Sequence, residues 1–212
     1  MSTALAMTWE KTSRSDQFML WIDGVGAWLI CTGDRITIGG PCLDQRSADI
    51  CLLGHLSRKH VSMIHRGDRF FAKPHAPTSV SGRYLQQESL LVNNSEITMD
   101  NSVRLRFRQP TPLSTTAVLD FVSDHRPAYS VDGIVLMQEN CLLGPGSKNH
   151  VRCRDWSATV VIFQQSGRLW CRSSSEFSID GRIVRSSGQI GEGAVIEGED
   201  FCFRLESVPR PD

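Results

Sequence analysis

The chain lacks a long hydrophobic run, an excess of charge of one sign and a helical stripe of apolar residues. None of its apolar runs approaches the roughly 20 residues that a membrane-spanning helix requires. Its 23 basic and 23 acidic residues balance, which argues against bulk attraction to nucleic acid or anionic lipid. We therefore expect neither a nucleic-acid partner nor a membrane partner.

Cysteine pairs with the spacing of a metal site are also missing. The seven cysteines are odd in number and contain no Cys-x2-Cys pair. His150 and Cys153 form the one close pair with ligand-like spacing, and no second pair follows. The first ten residues lack the basic leader and the apolar length of a secretory signal. These features predict a cytoplasmic protein with free thiols, no metal site and no other cofactor.

Motifs that carry catalysis are absent as well. The chain has no Gly-x-Ser-x-Gly elbow and no conspicuous pair of carboxylates. Residues 143–148 are glycine-rich and end in a lysine, but they lack the spacing of a phosphate-binding loop and no helical pattern follows them. We therefore predict that the protein is not an enzyme.

Short stretches of alternating apolar and polar residues dominate what is present. Runs such as 35–38, 60–64 and 103–107 alternate in this way and are bounded by Gly, Asp, Asn or Pro. A period of two is typical of strands with one buried face. Gly67 lies in a segment between two such runs that predicts a hairpin turn. The chain is therefore predicted to be all-β and built from sandwiches.

Similar segments at a constant offset predict a duplication. Residues 79–83 (SVSGR) and 178–182 (SIDGR) lie 99 positions apart, and residues 69–73 and 168–172 share that offset. Several matches in the same order are typical of an internal repeat. We therefore predict two tandem antiparallel β-sandwiches of similar sequence.

The boundary between the two sandwiches is predicted in the segment 109–116. This segment carries two prolines and four hydroxyl residues, and a central strand cannot run through prolines because they donate no ladder hydrogen bond. We place the first domain at 17–112 and the second at 113–212. The polar, aperiodic residues 1–16 are predicted to be a flexible tail.

One motif in the first half carries a family resemblance. Ser57-Arg58-Lys59-His60 opens an apolar strand, Asp49-Ile50 precedes it, Val80-Ser81-Gly82 follows it, and residues 103–107 form a closing strand. In this order the segments resemble the forkhead-associated (FHA) domain, in which a Ser-Arg-x-His motif opens a strand. The resemblance covers roughly residues 18–108, and a weaker, degenerate copy covers about 117–206.

The resemblance implies an FHA-like sandwich that binds phosphothreonine peptides through loops at one end. It assigns phosphate contacts to Ser57 and Arg58 and the role of a structural brace to His60. A serine hydroxyl and a guanidinium suit the phosphate oxygens, because a phosphate accepts strong, charge-assisted hydrogen bonds. The further candidate binding residues are Gly39 and Gly40, Arg46 in the same loop, Lys73 and Ser81.

Two departures from the family pattern leave a second interpretation open. Gly40 stands where the family has its phosphate-contacting arginine, and residues 73–78 replace the family's Ser-x-Asn-Gly-Thr segment. Ser57 and His60 would then shape a turn without a ligand. The function is predicted to be either non-catalytic recognition of phosphothreonine in a phosphorylated protein, such as a kinase substrate, or a phosphate-independent scaffold for protein assembly.

The second half departs further from the pattern. It keeps Ser157 but has Ala158 and Val160 where the first half has an arginine and a histidine, so we expect no phosphopeptide binding there. Trp170 lies in a strand and is expected in the core, whereas Trp156 lies in a loop and is a candidate contact for a partner.

Charge also differs between the halves. Residues 1–112 hold 13 basic and 10 acidic residues, and residues 113–212 hold 10 and 13. The neutral total therefore divides into +3 for the half with the candidate phosphate loop and −3 for the other.

Overall fold

The computed structural model describes residues 17–41 and 48–208 of the chain, and these residues form strands and turns only. The tail predicted over residues 1–16 and the candidate residue Arg46 lie outside this range. Over the described ranges, no helix is long and apolar enough to cross a membrane. The predicted all-β fold is confirmed.

Within the described ranges, eleven strands precede the segment 109–116 and eleven follow it. The first set is β1 (Gln17–Ile22), β2 (Gly26–Thr32), β3 (Arg35–Gly39), β4 (Ile50–Cys51), β5 (Val61–Arg66), β6 (Arg69–Pro74), β7 (Thr78–Val80), β8 (Arg83–Tyr84), β9 (Ser89–Leu91), β10 (Glu96–Met99) and β11 (Val103–Arg108). The second set is β12 (Ala117–Phe121), β13 (Gly133–Met137), β14 (Asn140–Gly144), β15 (Val151–Arg152), β16 (Val160–Gln165), β17 (Arg168–Ser173), β18 (Phe177–Ile179), β19 (Arg182–Val184), β20 (Ser187–Ile190), β21 (Val195–Gly198) and β22 (Cys202–Ser207).

The strands form three sheets. A long sheet of twelve strands has the order β19-β18-β21-β22-β1-β2-β13-β12-β11-β10-β7-β8. The first small sheet has the order β4-β3-β5-β6-β9, and the second small sheet has the order β15-β14-β16-β17-β20. Each small sheet packs on the long sheet over its own hydrophobic core, as in a β-sandwich.

The long sheet has the same strand order on both sides of its centre, where β2 and β13 pair in parallel. The first hairpin of each sequence half, β1–β2 or β12–β13, lies in the part of this sheet that the other half forms. Strand β1 pairs with β22, the last strand of the chain, and β12 pairs with β11. The two halves therefore share one sheet through exchanged hairpins. The domain limits at residues 16 and 112 stay predictions.

The four central strands separate the two cores. On β13, Ile134 and Leu136 face the core under the first small sheet, whereas Val135 and Met137 face the core under the second. Because both faces of β13 are buried, its sequence is an unbroken apolar run and does not alternate.

Two short connections join the central strands to the small sheets. Gly33 and Asp34 link β2 to β3, and Gln138 and Glu139 link β13 to β14. The side-chain amide of Gln138 donates a hydrogen bond to the Gly33 carbonyl over 2.9 Å, so the two connections touch. Strands β3 to β13 follow one another in sequence and, together with one face of β1 and β2, enclose the first core beside which residues 57–60 lie.

Candidate functional site

Residues 57–60 form a loop between β4 and β5 at the end of the first small sheet. Ser57, Arg58 and Lys59 are exposed, whereas His60 is 1% exposed. The His60 backbone N–H donates to the Ile38 carbonyl over 2.8 Å, which closes the loop onto β3. The fold therefore presents a hydroxyl and two cations to solvent and turns the histidine inward.

His60 holds the loop from beneath. Its Nδ1 accepts a hydrogen bond from the Ser57 N–H over 3.3 Å, and its Nε2 lies 2.9 Å from the Pro77 carbonyl oxygen. Because Nδ1 is an acceptor, Nε2 carries the proton and donates to Pro77. The same carbonyl accepts the Asp100 N–H over 3.2 Å. His60 thus links the 57–60 loop to the 74–78 loop. These hydrogen bonds are those of a structural brace.

Gly39 and Gly40 lie against the backbone of the same loop. The Gly40 N–H donates to the Ser57 carbonyl over 2.9 Å. A Cβ on Gly40 would lie 2.5 Å from the Leu56 carbonyl oxygen, and a Cβ on Gly39 would overlap the Arg58 carbonyl; Cβ atoms essentially never approach closer than 3.0 Å. An arginine at position 40 would therefore require the loop to move. Glycines at positions 39 and 40 therefore have a steric cause, which the sequence alone does not reveal.

Lys73 and Ser81 lie on different elements. Lys73 is exposed on β6, where its Cα is the register partner of Ser62 on β5. Ser81 forms the turn between β7 and β8 with a φ of 49°, and its N–H donates to the Glu96 carbonyl over 2.7 Å. A left-handed conformation is uncommon for serine, and the hydrogen bond to the Glu96 carbonyl holds it in this tight turn.

Basic groups surround His75, which follows β6. Its Nε2 lies 2.8 Å from the Ser62 hydroxyl. Burial lowers the pKa of His75, and the charges of Lys73, Arg35 and Lys59 lower it further. These cations create a positive potential next to the Ser57 loop, and such a potential attracts anions.

The surroundings of a second histidine are different. Burial also lowers the pKa of His65, but the carboxylates of Asp34, Glu139 and Asp68 oppose that effect. His65 lies at the other end of β5, next to the β5–β6 turn. Carboxylates thus act on His65, whereas basic groups act on His75.

A cleft of about 370 Å³ opens beside the 74–78 loop. Its walls are formed by residues 74–78 together with Tyr84, Leu85 and Gln86. A volume of this size lies at the lower end of the range of ligand clefts in proteins.

Comparisons with known proteins give structural neighbours only. No family model and no curated protein matches the chain. Among solved structures it is similar to the FHA domain of CT664 from Chlamydia trachomatis, with 21% identity, a TM-score of 0.30, and coverage of 40% of this chain and 90% of that one. It is also similar to the N-terminal FHA domain of EssC, a component of the bacterial type VII secretion apparatus, with 11% identity, a TM-score of 0.26, and coverage of 90% and 92%.

The second half has a different arrangement at the corresponding loop. Strand register aligns Val160 with Val61, because they pair with Leu143 and Ile38 at equivalent places. Thr159, and not Val160, therefore takes the place of His60. The backbone N–H of Ser157 donates to the Asp200 carboxylate, and hydrogen bonds from Ser157 lower the pKa of Asp200. A carboxylate of the chain itself thus occupies this loop.

The two tryptophans of the second half exchange their expected places. Trp156 is 5% exposed and lies with its ring 5.1 Å from that of Phe201. Trp170 is only partly buried and stacks beside Phe163 on the outer face of the second small sheet. The prediction was wrong because the inward positions of β17 are those of its neighbours Leu169 and Cys171.

One partly buried Ser–His pair has the wrong polarity for catalysis. His150 Nε2 lies 2.8 Å from the Ser114 hydroxyl, but its Nδ1 accepts the Leu142 N–H over 2.9 Å. Nε2 therefore carries the proton and donates to Ser114, so it cannot act as the base that activates the serine. Burial also raises the pKa of the Cys153 and Cys171 thiols to about 12, which leaves them unreactive near neutral pH.

No metal site is formed in the described part of the chain, where three or more His, Cys, Asp or Glu side chains nowhere come together. Sequence reasoning missed two residues that act on His75, namely Arg35 through its charge and Ser62 through a contact of 2.8 Å. A signal for Arg35 was present, because it alternates with the buried residues Ile36 and Ile38 and must therefore point outward.

Proposed function

We propose that the protein is a non-catalytic adaptor that binds phosphothreonine segments of other proteins at the 57–60 loop. One observation carries the proposal, namely an exposed Ser57-Arg58-Lys59 segment held from below by both ring nitrogens of His60. A preorganised loop costs little entropy on binding. Its hydroxyl and cations match the acceptor oxygens and negative charge of a phosphate.

The cysteines support a reducing, cytoplasmic setting for this adaptor. Cys31, Cys141, Cys153, Cys171 and Cys202 carry free thiols, and disulfides are rare in reducing compartments.

A phosphate-independent scaffold is the second candidate, and two specific observations favour it. The Leu56 carbonyl fills the space that an arginine at position 40 would need, which removes one phosphate contact of the FHA pattern. In the second half the Asp200 carboxylate already binds the Ser157 N–H. Both loops could then serve as rigid surfaces for protein contacts.

Fluorescence polarisation with an oriented library of phosphothreonine peptides and their unphosphorylated counterparts distinguishes the two candidates. The adaptor is expected to bind the phosphorylated peptides only. Arg58→Ala should weaken that binding by about 10- to 100-fold, the usual value of a hydrogen bond to a charged group. The matched control is Arg69→Ala, which removes an exposed cation at the β5–β6 turn, the opposite end of β5.

Equal binding of phosphorylated and unphosphorylated peptides would support the scaffold and refute the adaptor. A normal affinity of Arg58→Ala for phosphopeptides would show that the phosphate binds elsewhere.

A further inference from the structure

A cleft of about 780 Å³ opens beside the β1–β2 turn. Its walls include Trp21 on β1 and Arg204 on β22, which are register partners. Their neighbours Leu20 and Phe203 are buried in the second core, so Trp21 and Arg204 point away from that core. Asp132, which directly precedes β13, also lines the cleft. The volume lies within the range of ligand clefts in proteins.

Trp21 is held in a fixed position although it is exposed. The residue is 43% exposed, and its indole N–H donates to Glu206 Oε2 over 3.0 Å. The other oxygen of Glu206 lies 3.1 Å from Arg204 Nε, so one carboxylate orients both side chains. An indole whose N–H is already paired offers its apolar ring surface to a ligand.

The equivalent position on the first core's side of the long sheet holds no aromatic ring. Trp21 pairs with Arg204 as Asp120 of β12 pairs with Arg106 of β11, because β1 adjoins β22 where β12 adjoins β11. Asp120 forms hydrogen bonds with Arg108. Strand pairing at this position therefore does not require a large aromatic side chain.

Two carboxylates line the same cleft, those of Asp23 and Asp132. Asp132 Oδ2 accepts the Ala27 N–H over 2.9 Å, and a Cβ on Gly26 would lie only 2.1 Å from this oxygen. Asp23 is exposed in the β1–β2 turn. Neither carboxylate forms an ion pair with another described residue, so both charges are available to a cation.

The net charge of the cleft is negative. Arg204 is the only cation among the lining residues that the structure describes, and its ion pair with Glu206 balances its charge. Burial raises the pKa of the Cys202 thiol, and the carboxylates of Glu197 and Asp23 raise it further. A negative potential of this kind attracts cations and repels phosphate groups.

We propose that this cleft binds an arginine or lysine side chain from an extended segment of a partner protein. The Trp21 ring attracts a cation through its π face, and Asp23 and Asp132 accept charge-assisted hydrogen bonds. The aliphatic stem of the bound side chain packs on apolar wall residues such as Val195.

The segment reaches the cleft without a rearrangement of the fold, because Trp21, Asp23 and Asp132 are all exposed. The cleft selects the opposite charge from the 57–60 loop. The inference is therefore independent of the function proposed for that loop.

Four pools of blocked, fluorescently labelled nonapeptides test this inference. The central residue is arginine, lysine, glutamine or glutamate, and the other positions are randomised among uncharged residues. Affinities for the full-length protein are measured by fluorescence polarisation at low ionic strength and at about 0.15 M salt, where exposed charges are partly screened. Unlabelled Nα-acetyl-arginine amide serves as a competitor, and sedimentation velocity measures self-association.

The test variants are Trp21→Ala, Trp21→Phe and D23N/D132N. Asparagine keeps an oxygen that accepts the hydrogen bond from β2, and phenylalanine keeps a ring with a weaker attraction for cations. Urea denaturation of each variant shows whether it is folded.

The matched controls change the same kinds of side chain outside the cleft. Tyr84→Ala removes another exposed aromatic ring, and D68N/D100N removes two exposed carboxylates.

The arginine and lysine pools should bind the wild type about 3- to 30-fold more tightly than the glutamine pool at low salt, as expected for a cation–π contact combined with exposed ion pairs. The glutamate pool should bind most weakly. The preference for a cation should nearly vanish in Trp21→Ala, be intermediate in Trp21→Phe, shrink in D23N/D132N and at higher salt, and persist in both controls.

Equal binding of the arginine and glutamine pools, or a preference that survives in both Trp21→Ala and D23N/D132N, would overturn the inference. If acetyl-arginine amide bound as tightly as the arginine pool, the ligand would be a small cation and the protein segment would be refuted. Self-association of the wild type that Trp21→Ala abolishes would identify a second copy of the chain as the occupant and refute a separate partner.

Discussion

Cutting the chain at residue 112 should destroy the first core, although that position is the predicted domain boundary. Strand β11 pairs with β12, and β2 reaches β11 only through β13 and β12. A fragment covering 17–112 therefore loses the hairpin that carries Ile134 and Leu136 and also leaves its own opening hairpin without a neighbour. A fragment covering 33–138 keeps β3 to β13 in one piece.

The size of the difference follows from the side chains that only the second fragment retains. The larger ones are Leu119, Val131, Ile134 and Leu136, all buried in the first core, and the small side chain of Ala117 is the fifth. At about 1.5–3 kcal/mol for each fully buried aliphatic side chain, their loss amounts to about 6–12 kcal/mol. Since whole domains are stable by only about 5–15 kcal/mol, fragment 17–112 should be unfolded at 25 °C.

Circular dichroism and urea denaturation of the two fragments provide the measurement, with the full chain as the reference. Fragment 33–138 should show β-structure and a cooperative transition, because it loses only Met19, Ala27, Leu29 and Cys31 from the first core. The reasoning would be refuted if fragment 17–112 unfolded cooperatively and were at least as stable as fragment 33–138. In that case the β1–β2 hairpin would take the place of the β12–β13 hairpin beside β11.

Two further predictions concern single residues. Burial lowers the pKa of His150 from 6.5 to about 4, so below pH 6.5 the unfolded state binds a proton that the folded state does not. The free energy of unfolding should therefore fall by about 3 kcal/mol between pH 6.5 and 4. His150→Gln should remove most of this pH dependence when the free energy is measured by urea denaturation. The exposed control His55→Gln should leave the pH dependence intact. Gly40→Arg should lower the melting temperature by several degrees because of the Leu56 carbonyl, whereas Gly191→Ala, which has open space around its Cβ position, should not. An unchanged pH slope or an unchanged melting temperature would contradict the respective argument.

Local pattern was sufficient to predict the strands but not their partners. The alternation of buried and outward residues in Arg35–Gly39 and Val103–Arg108 matches the sequence period. The choice between β1 and β12 as the neighbour of β11 depends on the packing of both cores, because both strands are short, apolar and followed by another strand. A sequence period carries no information about that choice.

The candidate site was predicted to a similar degree. The motif placed Ser57 and His60 in one loop, and the structure brings them within hydrogen-bonding distance. The obstruction at Gly40 and the cations around His75 depend on contacts between separate strands, so they were not predictable from spacing. Trp156 and Trp170 were misplaced because the inward direction in each segment is set by its register in the sheet.

The exchanged hairpins also make the two halves of the chain depend on each other. In a duplicated gene with independent domains, a copy that no longer binds a ligand can be lost without harm to the other. Here the second half supplies β12 and β13 to the sheet beneath the first core, and β1 and β2 complete the sheet beneath the second. Neither half can therefore be removed without taking strands from the sheet beneath the other half's core.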